Sequence, residues 1–353
     1  MSITLTSLAN LGDLPFDQII DVRSPDEWAE DHIPGAINLP VLDNAERAHV
    51  GTIYKQESPF KARKLGAALV AQNAARHLMG PLADKPGGYR PLVYCWRGGQ
   101  RSGSFATILE QIGWRVDVIR GGYKAYRQLV VQTVYDTPFP APAVVLDGNT
   151  GTAKTEVLGL LAARGVQVID LEGIARHRGS VFGGRAGGQP SQKAFEGALA
   201  QAIGRLDPAR PVVMEAESSK IGTLILPPAI WKAIRAAPRM TVAAPLAARA
   251  AYLTRTYADI VADRAALERL LNGLRPLHPA DVIDGWLALA GAGDDVTLAA
   301  DLMAHHYDPR YTRHRERTGA TEIAAFDLAD LEEGTLARLA DDIAAQLKAA
   351  GRG

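Results

Sequence analysis

The chain has 353 residues, 47% of them hydrophobic and 22% charged, with 39 basic residues against 39 acidic ones. That length exceeds one ordinary domain, and the composition is that of a globular protein with sizeable cores. It excludes a global basic field for nucleic acid and any apolar run near the ~20 residues a membrane helix needs.

A single cysteine, Cys95, excludes an internal disulfide framework. The opening residues lack a basic n-region and an apolar h-region, so no secretory signal and a cytoplasmic location are expected. The first β-rich runs are QIIDVR at 18–23, PLVYCW at 91–96 and VDVIRGG at 116–122, alternating with helical patterns at 61–79 and 102–112. Alternation of this kind predicts an α/β fold with a mostly parallel sheet. DTPFPAPA at 136–143 holds three prolines and reads as a linker. Beyond it, AVVLDGNTGTAKT predicts a buried strand, a Gly-rich turn and a helix from about Thr155. VQVID at 166–170 and PVVMEAES at 211–218 are further strands, with a helix over 192–203 between them. From about Pro245 the spacing is helical and strands are hard to find. The expected organisation is therefore a first α/β domain at 1–136, a linker at 137–143, a phosphate-loop domain at 144–240, and a mostly helical region at 241–353.

Two basic clusters stand out against the neutral total. One is Lys55, Lys61, Arg63 and Lys64; the other is Arg310, Arg313, His314, Arg315 and Arg317, interleaved with Tyr307 and Tyr311. Each reads equally as an RNA contact or as a solvated helix face.

Cys95 ends a hydrophobic strand and opens CWRGGQRS, which runs into a helix. A strand–loop–helix of this type turns successive backbone N–H groups into a small bowl above a helix N-terminus. Gly98 and Gly99 allow the backbone to curl, and Arg101 can place its fork on an oxyanion in the bowl. Such a setting lowers a thiol pKa and makes Cys95 a nucleophile. The bland reading is a small buried residue at a strand end.

GNTGTAKT at 148–155 fits the phosphate-loop pattern G-x4-G-K-[ST], except that Ala153 stands where glycine normally precedes the lysine. The pattern expects Gly148 and Gly151 to shape a nest of amides, Lys154 to reach phosphate oxygens, and Thr155 to meet a metal. Asp147, Asp170, Glu215 and Glu217 are strand-end carboxylates that could hold Mg²⁺ beside it. The competing reading is a vestigial loop kept as a turn.

DVRSPDEWAEDHIPGAINLP at 21–40 is similar to the opening of rhodanese domains, in which Asp21, Arg23 and His32 pin turns and strand ends. Ordinary thiosulfate sulfurtransferases have four residues between the loop cysteine and arginine, whereas Cys95 and Arg101 have five between them. That wider loop is also the Cys-x5-Arg loop of some protein phosphatases. The joined halves resemble the bacterial tRNA 2-selenouridine synthases, through YCWRGGQRS, DLEGIARHRGSVFG, QPSQKAFE, MEAESSKIG and HYDPRY. That family usually has Gly at the position of Ala153 and an acid at that of Ala216.

The resemblance implies a transferase acting on wobble 2-thiouridine of the tRNAs for Lys, Glu and Gln. Geranyl diphosphate first alkylates the sulfur, and selenium from selenophosphate then replaces it; a selenophosphate-supplying enzyme is an implied partner. Cys95 would take up selenium as a perselenide, with Arg97 and Arg101 on the phosphate group. Arg176, His177, Arg178, Ser180 and Gln192 are substrate or RNA contacts by resemblance, together with Glu215 and Glu217. Two other readings stand beside it. One is a Cys-dependent phosphatase or sulfurtransferase fused to a degenerate nucleotide-binding module; the other is a non-catalytic RNA platform.

Overall fold

A computed structural model describes residues 2–9, 11–216, 218–319 and 321–350, without the side chains of 13, 314, 316–318 and 350. Glu217 and the side chains of His314 and Arg317, all named above, lie outside that description. The chain divides into two compact units, Met1–Pro138 with Pro190–Arg205, and Phe139–Gln189 with Leu206–Gly353.

The first unit is built on five parallel strands, β1 (Ser2–Ile3), β2 (Gln18–Asp21), β3 (Ile37–Asn38), β4 (Pro91–Tyr94) and β5 (Asp117–Ile119), in the order β1-β5-β4-β2-β3. Helices α1 (Pro25–Glu30), α2 (Asn44–Gln56), α3 (Pro59–Met79), α4 (Gln100–Gln111) and α5 (Gly122–Val131) supply the crossovers. Local chemistry sets their ends. Asp43 and Glu46 form a reciprocal capping box on α2, and the Ser58 hydroxyl accepts from the first amides of α3, with Pro59 in the first turn. Every residue of β4 is buried, as a central parallel strand requires. Its core gathers Ile20, Val22, Leu42, Val70, Val93, Phe105 and Cys95 itself.

Behind the cysteine loop, Arg23 is buried with Asp21. Its guanidinium donates to both carboxylate oxygens and to the Asp31 carbonyl, and lies 4.1 Å from the Tyr123 ring centre. His32 stacks on Trp28 at 3.5 Å. These residues fix the strand ends from which the loop springs.

The second unit has its own parallel sheet. β6 (Ala143–Gly148) leads into α6 (Lys154–Ala163), β7 (Gln167–Ile169) and α7 (Leu171–Ala175). The next helix, α8 (Gln192–Gly204), corrects the expected 144–240 domain, because it belongs to the first unit. Its buried stripe of Phe195, Leu199, Ala200 and Ile203 sits there, Glu196 takes Arg127 and Tyr135, and Gly197 admits the Tyr126 hydroxyl where a Cβ would clash at 2.5 Å.

The chain then returns through β8 (Val212–Glu215), the small hairpin β9 (Lys220–Ile221) and β10 (Leu224–Ile225), α9 (Pro228–Ala236) and β11 (Arg239–Ala243). Helices α10 (Leu246–Thr256), α11 (Ala258–Ala262), α12 (Arg264–Asn272), α13 (Ala280–Ala292), α14 (Asp295–Leu302) and α15 (Asp308–Thr318) follow, then β12 (Glu322–Asp327) and α16 (Glu333–Ala350). The region after 241 is mostly helical but also completes the sheet, whose order is β12-β11-β6-β8-β7. α16 buries Leu336, Leu339, Ala340, Ile343 and Leu347, a helix-period stripe, in the same cluster as α6. A separate cluster around Trp286, Leu267, Leu271 and Ile283 holds α12 to α14 together.

Candidate functional site

Two sites take shape, one in each unit. In the first, Cys95 follows β4 and is 4% exposed. Gly98 has φ +64, and a Cβ there would lie 2.4 Å from the Ile119 carbonyl, so only glycine lets the loop close against β5. Gly99 caps α4, whose N-terminus underlies the cup. Ser102, on the first turn of α4, donates its hydroxyl to the Cys95 sulfur at 3.2 Å. Burial pushes the thiol pKa up. The Ser102 hydroxyl and amide, the Arg101 charge and the Arg97 amide outweigh that and hold it below its ordinary value. The cysteine is therefore a buried group with a stabilised thiolate.

Arg97 is exposed at the loop tip. Arg101 does not point its fork into an empty bowl: Nη1 and Nη2 donate to the Glu27 carboxylate at 2.6 and 3.1 Å. Glu27 also accepts from the Ser24 amide and lies 3.8 Å from Arg47. Burial raises the Glu27 pKa, but Arg101, Ser24 and Arg47 bring it below the usual carboxylate value, so it is ionised at neutral pH. An anion entering the cup would draw Arg101 off Glu27. This carboxylate, which the sequence did not single out, is a competitor for the arginine rather than a proton donor.

In the second unit, β6 feeds the phosphate loop. A Cβ on Gly148 would lie 2.5 Å from the Thr152 hydroxyl and 2.7 Å from the Val242 carbonyl, and Gly151 has φ +83. Ala153 takes φ +59, a left-handed conformation that costs a residue with a Cβ about 1–2 kcal/mol, yet its methyl is buried in the core. Lys154 folds back, its Nζ donating to the carbonyls of Gly148 (2.8 Å) and Asn149 (3.2 Å). Thr155 donates to Glu172 at 3.1 Å.

Around them lies a cavity of about 260 Å³, lined by residues 150–156 with Glu172, Arg178, Arg185, Tyr257 and Tyr311. Arg178 is held by Asp259 at 2.9 Å and lies over the Tyr257 ring at 4.7 Å. Thr150, Ser180, Leu253 and Tyr257 also line a second, apolar cavity of about 70 Å³, closed by Phe182, Leu267, Leu298 and Leu302. A loop of phosphate-binding type thus opens directly onto an oily recess.

The expected carboxylates are used otherwise. Asp147 is committed to Arg239 (2.6 Å) and Arg315 (3.0 Å), and despite burial these arginines hold its pKa down to about 2. Asp170 caps α7 through the Gly173 amide. Glu215 is fully buried, accepts from the Leu171 amide, and is pushed well above the usual carboxyl range by burial and by Asp170 and Glu172. The acid that faces the loop is Glu172, two residues beyond Asp170. Arg176 is the exposed C-cap of α7 at φ +48 and does not line the cavity. His177 is half-buried with Nδ1 unpartnered, its pKa lowered by burial and then by Arg185 and Arg178. Gln192 lies in the first unit, on α8, and donates to Glu196 at 2.9 Å. Among the described residues no group of three or more His, Cys, Asp or Glu is arranged to hold a metal ion.

A cysteine cup on one α/β unit and a phosphate loop on another define a two-domain architecture of rhodanese and phosphate-loop type. Residues 4–129 match the rhodanese-like domain, and residues 141–272 match the tRNA 2-selenouridine synthase AAA domain. The tRNA 2-selenouridine synthase of Alcanivorax borkumensis is 32% identical over 90% of this chain and 96% of its own. That of Bordetella petrii is 34% identical over 90% and 91%. That of Nitrosomonas europaea is 37% identical over 65% of this chain and 61% of its own length, and the one from Shewanella halifaxensis 37% over 68% and 65%, so these two alignments leave more than a third of each relative unmatched. The chain belongs to the tRNA 2-selenouridine synthase family.

Proposed function

We propose that this protein makes 2-selenouridine in tRNA, replacing the sulfur of a wobble 2-thiouridine in the tRNAs for Lys, Glu and Gln. Geranyl diphosphate and selenophosphate are its co-substrates, and the setting is the cytoplasm. The observation that carries the reading is Cys95, a buried thiol whose pKa Ser102, loop amides and Arg101 lower.

The phosphate loop prepares the base. The thiocarbonyl sulfur attacks the allylic carbon of the donor, the carbon–oxygen bond breaks, and diphosphate departs with the electron pair. Lys154, leaving the Gly148 and Asn149 carbonyls, and the loop amides stabilise that charge. Thr155 and Glu172 would hold a Mg²⁺ ion accompanying the diphosphate. The apolar recess that shares Tyr257 and Leu253 with the loop cavity suits the prenyl chain. At about 70 Å³ it has room for roughly one of the chain's two isoprene units.

Alkylation turns sulfur into a displaceable thiolate, and the selenium of selenophosphate replaces it at C2. Electron bookkeeping then revises the role expected for Cys95. Loading a thiolate with neutral selenium from selenophosphate would leave phosphorus reduced, with no oxidant to restore it. The balanced step has the Cys95 thiolate attack phosphorus in the base–selenium–phosphate adduct. The selenium–phosphorus bond breaks, the base keeps selenium, and water then releases phosphate from the cysteine. The five-residue spacing from Cys95 to Arg101 suits a tetrahedral phosphoryl group. Ionised Glu27 cannot protonate a leaving group, which disfavours a stand-alone phosphatase.

The test is incubation of the purified chain with a 2-thiouridine stem–loop RNA and both co-substrates, followed by nucleoside mass spectrometry. Selenouridine is expected with wild type and not with Cys95→Ser. No selenium in the RNA with wild type defeats the reading.

A further inference from the structure

We propose that a cavity beside the cysteine loop of the first unit seats the nucleobase under modification, with the cationic start of α3 holding the adjoining RNA backbone. The inference rests on the RNA-modifying reading above and adds where the RNA docks.

The cavity, about 280 Å³, lies between the α2–α3 pair and the first turns of α4. Leu42, Val50 and Val70 form its apolar wall, and Gln100 and Arg101 of the cysteine loop form its polar end. The same three apolar residues pack in one cluster with Cys95, so the cavity borders the thiol's own surroundings. A base is a flat plate with apolar faces and a polar edge, and this recess has that division of surface. The Gln100 amide can both donate and accept at a base edge.

The rim carries two features that folding does not ask for. Tyr54 is 57% exposed and Phe60 68%, large rings left in water on either side of the α2–α3 turn. Exposed aromatics at a recess are stacking platforms for unpaired bases, whichever base is presented. The second feature is charge. Lys61, Arg63 and Lys64 crowd the opening turns of α3, whose first turn holds no acid. A helix N-terminus is already positive, so Lys61 in the first turn opposes the dipole. Lys61 recovers some of this from Glu57 at 3.5 Å, an exposed pair of little worth. Arg63 lines the cavity itself. Arg63 and Tyr54 thus put a cation and an aromatic ring together at the cavity, the chemistry that a single-stranded polyanion calls for. An acidic peptide would use the charge but leave the flat apolar recess unfilled.

The experiment uses the full chain and a stem–loop RNA bearing 5-iodouridine at the modified position, irradiated and mapped by peptide mass spectrometry. Crosslinks at Tyr54 or elsewhere in 42–66 are expected; crosslinks confined to the second unit overturn the proposal. Independently, Tyr54→Ala and Arg63→Glu change exposed side chains and should fold. Each should weaken stem–loop binding roughly tenfold or more, and Arg63→Glu should also flatten the salt dependence of binding by about one unit. Binding within twofold of wild type in both variants overturns it as well. Crosslinking at Tyr54 by a wild type that transfers no selenium would keep this docking site and sink the selenium chemistry. Selenium transfer without these crosslinks would do the reverse.

Discussion

Cys95 is almost wholly buried, and burial alone would make it a poor acid; what tips the balance is the donor set around its sulfur. Ser102 is the nearest of these. Because the thiolate is the charged form, removing a donor raises the pKa and reduces the nucleophilic fraction. Iodoacetamide reactivity of wild type should therefore rise with an inflection below the ordinary thiol value of 9.0. In Ser102→Ala it should move up by about one unit, since a hydrogen bond to a charge is worth about 1.5–3 kcal/mol and one unit is about 1.4. An unmoved inflection would remove Ser102 from the account. Much of this site was legible, because Cys95, Gly98 and Arg101 lie within one local loop whose chemistry their order declares. Glu27 was not: it meets Arg101 across 74 residues of sequence. Glu172 was hidden differently, since Asp170, Glu215 and Glu172 look alike in the sequence, and only burial and capping separate them.

At the scale of elements, Asp147 at the end of β6 ties β11 through Arg239 and α15 through Arg315, so the phosphate loop is anchored by an ion triad. A carboxylate whose folded pKa is depressed adds stability that is present above its unfolded value, 3.8, and is lost as pH falls through about 2. The shift corresponds to about 2 kcal/mol. Acid titration of wild type should lose that amount between roughly pH 4 and 2 beyond what Asp147→Asn loses, with both followed by denaturant melts. The variant should also be less stable at neutral pH by about 3–5 kcal/mol, because it leaves Arg239 buried without its partner. Equal acid slopes would mean the triad is incidental. Lys154 gives a matching ligand test. Lys154→Ala should weaken pyrophosphate binding by calorimetry about tenfold or more, and unchanged affinity would mark the loop as a turn without a ligand. The strands and helices around this loop were readable from period and glycine placement. β12 was not, because EIAAFD is as Ala-rich as α16 that follows it and becomes a strand only by pairing with β11. α8 shows the same limit: a stripe of apolar residues reveals a buried face, but not which core buries it.

For the whole molecule, the proposed reaction divides between the two sites, and that division can be read from what accumulates when one of them fails. In that proposal alkylation uses the phosphate loop and its apolar recess, and nothing in it requires a thiolate. Release of selenium from phosphorus would use the cysteine cup, and nothing in it would require the prenyl donor once sulfur has left. Cys95→Ser should therefore leave RNA stalled as the S-geranyl nucleoside when selenophosphate is withheld, and as a selenium-bound phosphate adduct when it is supplied. Lys154→Ala should yield neither species, with 2-thiouridine unchanged. Mixing the two variants should restore selenouridine if the alkylated RNA can leave one molecule and bind another. The nucleoside profile of each variant, taken by mass spectrometry, checks the order directly. Selenouridine formed by Lys154→Ala at the wild-type rate would show that sulfur is displaced without prior alkylation. The phosphate loop would then have to serve some other anion.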